Sequence, residues 1–276
     1  MKRIMTIQDI SCVGKCSLTV ALPIISAAGV EAGVLPTAVL STHTQFDKFT
    51  FCDLTSEIQP ISDTFRDLDI DFDAIYTGYL GSFEQLGLVS DFIDRFGGKA
   101  KVVIDPVMAD NGVLYKGFTP EFARAMAKLC GKADLIIPNL TEASFMLDIP
   151  YNPDYDEDYI KELLKKLAAL GADEVALTGI SFEADKIGVY SYKASTDTYS
   201  YYANTKLPLT YHGTGDVYAS AVVGAMMRGF STEESLAIAV DFTLRSMEKT
   251  MEDPEHRFYG VNFEEALPYY IELLNK

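Results

Sequence analysis

Short apolar, β-branched runs alternate with amphipathic stretches along most of the chain, and this rhythm constrains the fold more than any other feature. The strand-like runs are Arg3–Ile7, Val34–Leu40, Ala74–Tyr79, Lys101–Ile104, Leu135–Pro138 and Glu174–Thr178. Helical spacing of apolar residues lies between them, near Leu18–Ala28, Phe83–Phe96, Pro120–Cys130 and Asp158–Leu170. Strands that recur with intervening helices must pair in parallel and be covered on both faces, so the expected fold is α/β, with a mainly parallel central sheet between two helical layers. Around 186–203 the pattern changes to two alternating runs joined by a Ser/Thr/Asp turn, which predicts a hairpin. Helices are then expected over Ala219–Met227, Ser235–Thr250 and Phe263–Leu274. No linker rich in Pro, Gly or Ser interrupts the 276 residues, and the expectation is one domain over 1–276.

In open parallel sheets, ligands bind beyond the carboxyl ends of the strands. Asp105-Pro106-Val107 follows one strand, Asn139-Leu140-Thr141-Glu142 the next, and Thr178-Gly179 the third. Each has a plainer reading, since Asp before Pro forms turns and Asn139 with Glu142 can cap a helix. Together they form a polar rim with two carboxylates, Asp105 and Glu142, which suits a hydrated Mg²⁺.

The strongest local signal is His212-Gly213-Thr214-Gly215-Asp216, ahead of the small-residue helix VYASAVVGAMM. Two glycines before a helix leave backbone N–H groups unobstructed at its positive end, where phosphate or a developing anion is held. Forty acidic against 23 basic side chains leave a net charge of -17, so an anionic ligand needs such a local device. The same charge argues against nucleic-acid and anionic-membrane surfaces. Asp216 then falls in the first helical turn, where a carboxylate can take a proton from an attacking alcohol. The segment is neither a Walker P-loop nor a GxGxxG dinucleotide fingerprint.

Cys12, Cys16, Cys52 and Cys130 form no CxxC pair and read as free thiols of a reducing compartment. The apolar run after Lys2 and Arg3 is broken at Gln8 and Asp9, too soon for a signal peptide, and no uninterrupted apolar run reaches membrane-spanning length. A soluble cytoplasmic protein, with no membrane partner, is the expectation.

On these motifs the chain resembles the ribokinase-like superfamily and, within it, the pyridoxal kinases. Gly213-Thr214-Gly215-Asp216 is similar to the superfamily's closing GxGD turn. Asp105-Pro106-Val107-Met108 and Asn139-Leu140-Thr141-Glu142 are similar to its middle signatures. Ser41-Thr42-His43-Thr44-Gln45-Phe46 and Thr77-Gly78-Tyr79-Leu80-Gly81 resemble stretches of the pyridoxal kinases. The motifs keep the family's order over about residues 7 to 220.

The resemblance implies a ribokinase-like fold and transfer of the ATP γ-phosphate to the 5′-hydroxyl of pyridoxal, pyridoxine or pyridoxamine. It implies Asp216 as base, with Gly213, Thr214 and Gly215 stabilising the transferring group. Asp105 and Glu142 would hold Mg²⁺. Asn139, Thr178, Gly179 and Lys206 would serve ATP, although an exposed Lys206 is the plainer reading. His43, Thr44 and Tyr79 would line the ring pocket, and a homodimer is expected.

One segment departs from the family. Where relatives commonly read Ile-Gln-Ser and then a Gly-rich turn ending in Asn, this chain reads Ile7-Gln8-Asp9-Ile10-Ser11-Cys12-Val13-Gly14-Lys15-Cys16-Ser17. Asp9 or Ser11 takes the Ser position. Asp9 either binds a ring nitrogen or hydroxyl, or caps the first strand. A hydroxymethylpyrimidine kinase, another small-alcohol kinase and a non-catalytic vitamer or nucleotide binder remain as alternatives.

Overall fold

A computed structural model describes residues 1–44 and 46–276; Gln45, within the Ser41–Phe46 stretch, lies outside the described residues. In chain order the elements are β1 (Arg3–Ser11), α1 (Leu18–Ala27), β2 (Glu31–Leu40), β3 (Phe51–Asp53), α2 (Thr55–Asp67), β4 (Ala74–Thr77), α3 (Phe83–Phe96) and β5 (Lys101–Ile104). A small flap of β6 (Ala109–Asp110) and β7 (Val113–Leu114) follows, then α4 (Pro120–Cys130), β8 (Leu135–Ile136), α5 (Leu140–Met146) and α6 (Glu157–Ala168). The chain closes with β9 (Glu174–Ile180), β10 (Lys186–Lys193), β11 (Thr198–Thr205), α7 (Thr214–Met227), α8 (Thr232–Glu252) and α9 (Phe263–Leu273).

Among the described residues the main sheet has nine strands, in the order β11-β10-β9-β8-β5-β4-β1-β2-β3. The six from β9 to β2 run parallel, while β10, β11 and β3 add antiparallel edges. The chain leaves β1 toward β2 and later returns to β4 on the other side. The crevice between β1 and β4 is therefore the topological switch point, where ligands enter such sheets.

Strand alternation divides the core into two layers. Met5, Ile7, Ile75, Ile104 and Leu177 face α2 to α6, whereas Ile4, Tyr76, Val103 and Ala176 face α1, α7, α8 and α9. Helix α7 is buried without a break from Val217 to Ala225. Its small residues allow close approach: a Cβ on Gly224 would stand 2.5 Å from the Tyr270 hydroxyl, which donates to the Ala221 carbonyl at 2.8 Å.

Most sequence expectations hold, and the differences have local causes. The expected Leu135–Pro138 strand pairs only over Leu135–Ile136, because Pro138 has no N–H to contribute, and a lone bridge from Asn139 to Thr178 continues the line. Strand β4 ends at Thr77, where Gly78 lies against the Gln8 side chain. Helix α7 begins at Thr214 rather than Ala219, because the Gly213 turn starts it before its apolar pattern does. Helix α2 escaped the pattern reading: Pro60 sits inside it and only Thr55, Ile58 and Ser62 are buried. No described helix is long and apolar enough to cross a membrane. All four cysteines are free thiols.

Candidate active site

The site is built where β1, β4, β5, β8 and β9 end and α7 begins. Gly213 caps α7 with a left-handed backbone (φ 75°), and a Cβ there would stand only 2.0 Å from the Lys15 carbonyl oxygen. Only glycine fits both constraints. The first helical bond runs from the Val217 N–H to the Gly213 carbonyl (3.0 Å), so the N–H groups of Thr214, Gly215 and Asp216 precede the helical ladder at its positive end. A Cβ on Gly215 would meet nothing within 4 Å, and the residue is exposed.

Asp216 sits in that first turn, and its Oδ2 accepts the Ser17 backbone N–H at 3.0 Å. Desolvation pushes its carboxyl up to about 6; the Ser17 bond pulls it down and the Asp9 charge raises it further. A carboxylate that ionises near neutrality is suited to taking a proton from an alcohol.

Asp105, at the end of β5, is buried, and its carboxyl lies well above the usual range. Burial is the main cause, followed by the charges of Glu142 and Asp216. Glu142 is also buried and is pushed up to about 8 by desolvation. Its oxygens accept the N–H groups of Met108 (3.0 Å) and Asn139 (2.9 Å), while Asn139 Oδ1 accepts the Glu142 N–H at 2.9 Å. The plainer reading of this pair is therefore real: they form a complete capping box for α5. Asn139 is occupied further by donating to the Ala109 carbonyl (2.8 Å), which ties the flap to the rim.

Neither Asp105 nor Glu142 has an ion pair with Lys or Arg among the described residues. No cluster of three or more His, Cys, Asp or Glu there has metal-binding geometry. Two uncompensated buried carboxyls with few protein ligands fit Mg²⁺, which keeps waters and takes phosphate oxygens for the rest of its shell.

The substrate-side residues converge at the switch point. Asp9 and Ser11 end β1, both buried, with the Ser11 hydroxyl 3.5 Å from Asp9 Oδ2. The 11–14 turn packs on His43, whose N–H donates to the Val13 carbonyl at 2.9 Å. The His43 ring centroid lies 6.2 Å from that of His212, next to the Gly213 cap. Burial and His212 lower the His43 pKa, which favours a neutral ring. Tyr79 packs against Phe118 (centroids 5.5 Å apart), and its hydroxyl pKa is raised by burial and then by Asp9.

Thr44 is exposed at the mouth. Thr178 lies on the rim with its hydroxyl 3.4 Å from the Pro138 carbonyl, and Gly179 beside it has φ 74° with open space around it. Lys206 is exposed just past the end of β11 and makes no side-chain hydrogen bond or ion pair with a described residue, in keeping with its plainer reading. Two residues had no role in the sequence reading. His212 lay inside the Gly-rich signal but has no distinguishing pattern of its own. Tyr115, just beyond the flap, feels the charges of Glu142, Asp110, Asp105 and Asp216, and only the folded flap reveals that position.

A three-layer sheet that places a GxGD turn with a half-buried Asp216 and the Asp105 and Glu142 carboxyls around one crevice defines a kinase of the ribokinase-like superfamily. The chain belongs to the phosphomethylpyrimidine kinase family, whose sequence profile matches residues 23–260. It is 30% identical over 203 residues to the pyridoxine kinase of Bacillus subtilis, covering 72% of this chain and 71% of that one. A Bacteroides thetaiotaomicron structure described as a phosphomethylpyrimidine kinase, in an orthorhombic form with pyridoxal, superposes with a TM-score of 0.92 at 40% identity, covering 98% of this chain and 95% of that one. Pyridoxal kinase from Lactobacillus plantarum superposes with a TM-score of 0.92 at 29% identity, over 99% and 98% of the two chains.

Proposed function

We propose that the protein transfers the γ-phosphoryl group of Mg²⁺-ATP to the 5′-hydroxyl of pyridoxal, pyridoxine or pyridoxamine. The observation that carries this reading is the place of Asp216, between the open first-turn amides of α7 and the Asp9–Tyr79 pocket. Asp216 takes the hydroxyl proton as the oxygen bonds to phosphorus and the bond to the ADP oxygen breaks. The amides of Thr214 and Gly215, aligned with the helix dipole, hold charge on the phosphoryl oxygens. Positioning and electrostatics supply most of the catalysis in this class. Asp105 and Glu142 are the residues that would hold Mg²⁺, which supplies charge neutralisation on the phosphates. Thr178 and Gly179 offer a hydroxyl and an unobstructed backbone to the nucleotide.

The relatives named for pyridoxine and pyridoxal kinases, and the structure with pyridoxal, support the vitamer as acceptor. The family description favours a second reading, a hydroxymethylpyrimidine alcohol. The nine-stranded sheet supports reading 1–276 as one kinase domain, and the free thiols support a cytoplasmic setting. A homodimer completes the proposal.

The test is ADP release with Mg²⁺-ATP and, in turn, pyridoxal, pyridoxine, pyridoxamine, hydroxymethylpyrimidine, ribose or no acceptor. Stimulation by B6 vitamers is expected. Stimulation by the pyrimidine alone would move the assignment to the second reading, and no stimulation by any alcohol would overturn both.

A further inference from the structure

We propose that Asp9 sets acceptor specificity by pairing with a protonated ring nitrogen, so that the pocket selects a basic, pyridine-type alcohol over a weakly basic pyrimidine. This rests on the kinase reading above and adds the charge state of the ring that is bound.

Opposite Asp9 the register between β1 and β2 shifts, and the extra residue belongs to β2. Gln8 pairs with Pro36 and Ile10 with Val39, so a single β1 residue, Asp9, faces two β2 residues, Thr37 and Ala38. The bulge bends β2, the strand that carries the extra residue, beside Asp9. Asp9 is 6% exposed, yet its surroundings carry no balancing charge. The Ser11 hydroxyl lies 3.5 Å from its Oδ2, and its other neighbours include Ser17, Cys16, Tyr79 and Asp216. Among the described residues it has no ion pair. Lys15, in the turn after β1, is committed to Glu264 (2.8 Å) and Asn262 (3.0 Å). Asp216 adds a second negative charge to the same pocket.

A buried carboxylate without a counter-charge is costly and is kept where a ligand completes the pair. A neutral donor would need only a hydroxyl or amide acceptor. A full negative charge inside a carboxylate-lined pocket is matched by a cation. The Tyr79–Phe118 wall takes a flat ring, and Asp216 must meet the alcohol. A planar ring with its charge at one edge and its hydroxymethyl group toward Asp216 satisfies all three. A pyridine nitrogen holds a proton readily, whereas a second ring nitrogen withdraws electrons and makes a pyrimidine far less basic.

The test uses the full chain and its Asp9→Asn and Asp9→Ser variants with three acceptors: pyridoxine, its analogue with carbon in place of the ring nitrogen, and hydroxymethylpyrimidine. The native chain is expected to favour pyridoxine over the carbon analogue in kcat/KM by about tenfold to a hundredfold, the range for a charge-assisted hydrogen bond. Asp9→Asn is expected to remove most of that preference. In parallel, the absorption spectrum of pyridoxine bound to the native chain is recorded in a buffer alkaline enough to deprotonate the free ring. A protonated-ring band in the complex supports the pairing. A neutral-ring band, an unchanged preference in Asp9→Asn, or no binding of pyridoxine would overturn it. If no acceptor were turned over, the kinase reading would fall, and the spectrum of the bound vitamer would still decide the role of Asp9.

Discussion

The backbone N–H of Ser17 donates to Asp216 Oδ2 at 3.0 Å, joining the turn after β1 to the first turn of α7 across 199 residues of sequence. Ser17 does this from φ 51° and ψ −132°, a conformation that L-residues rarely adopt, immediately before α1. The bond orients the Asp216 carboxyl through a backbone donor. It also opposes the desolvation that raises the Asp216 pKa. Strain at Ser17 and alignment of the base are thus parts of one device.

Ser17→Gly should therefore leave the base in place while relaxing the backbone. Relief of about 1–3 kcal/mol of strain exceeds the extra chain entropy of glycine, about 0.5–1 kcal/mol. A higher thermal midpoint is expected, with kcat within a fewfold of native. A lower midpoint would show that strain at Ser17 does not limit stability.

For Asp216→Asn, turnover should fall by about 10²–10⁴-fold, the usual range for a general base, with ATP binding largely retained in equilibrium titration. In the native chain the carboxylate is the active form, so kcat/KM should rise with pH through about 6 and then level off. The sign for stability is opposite. A carboxyl whose folded pKa is raised favours the fold below its unfolded value, and that contribution is lost as pH rises through about 6. Asp216→Asn should consequently melt higher than native at pH 8, by differential scanning fluorimetry. Near-native turnover would remove Asp216 as the base.

Glu142→Gln should change two readouts together. Gln keeps one oxygen for the Asn139 N–H but sets an amide NH₂ against the Met108 N–H, and a buried donor left unpaired costs about 1–3 kcal/mol; the Mg²⁺ concentration for half-maximal rate should rise. Because Glu142 ionises only as pH passes about 8 and Asp105 is also raised, Mg²⁺ should increase the native melting temperature more at pH 8.5 than at pH 6. An unchanged Mg²⁺ requirement in the variant would take Glu142 out of the metal site.

Two neighbouring glycines should separate folding from catalysis. Gly213→Ala places a Cβ 2.0 Å from the Lys15 carbonyl at φ 75°, so the 12–17 turn must move, and loss of both stability and activity is expected. A Cβ on Gly215 meets nothing within 4 Å, so Gly215→Ala should melt close to native while turnover drops, because the methyl group narrows the approach to the first-turn amides. Full activity in Gly215→Ala would show that no phosphate passes there.

The alternation of strand and helix patterns, read against elementary pairing rules, determined the layered parallel sheet and most of its elements. Helix α2 stayed hidden because Pro60 and a mostly exposed surface blur its period. Local chemistry also determined the anion-binding turn at 213–215 and the carboxyls at strand ends, since each is encoded within a few consecutive residues. What the folded chain alone decided is the company these residues keep. The β2 bulge opposite Asp9, the Ser17 N–H on Asp216, the His43–His212 approach and the carboxylate charges felt at Tyr115 each depend on contacts between segments far apart in sequence. So does the double use of Glu142, which caps a helix and faces Asp105 at once. Periodicity and short motifs are properties of neighbours along the chain. The shifted acidities are properties of neighbours in space, set by burial and by which strand ends the sheet order brings together.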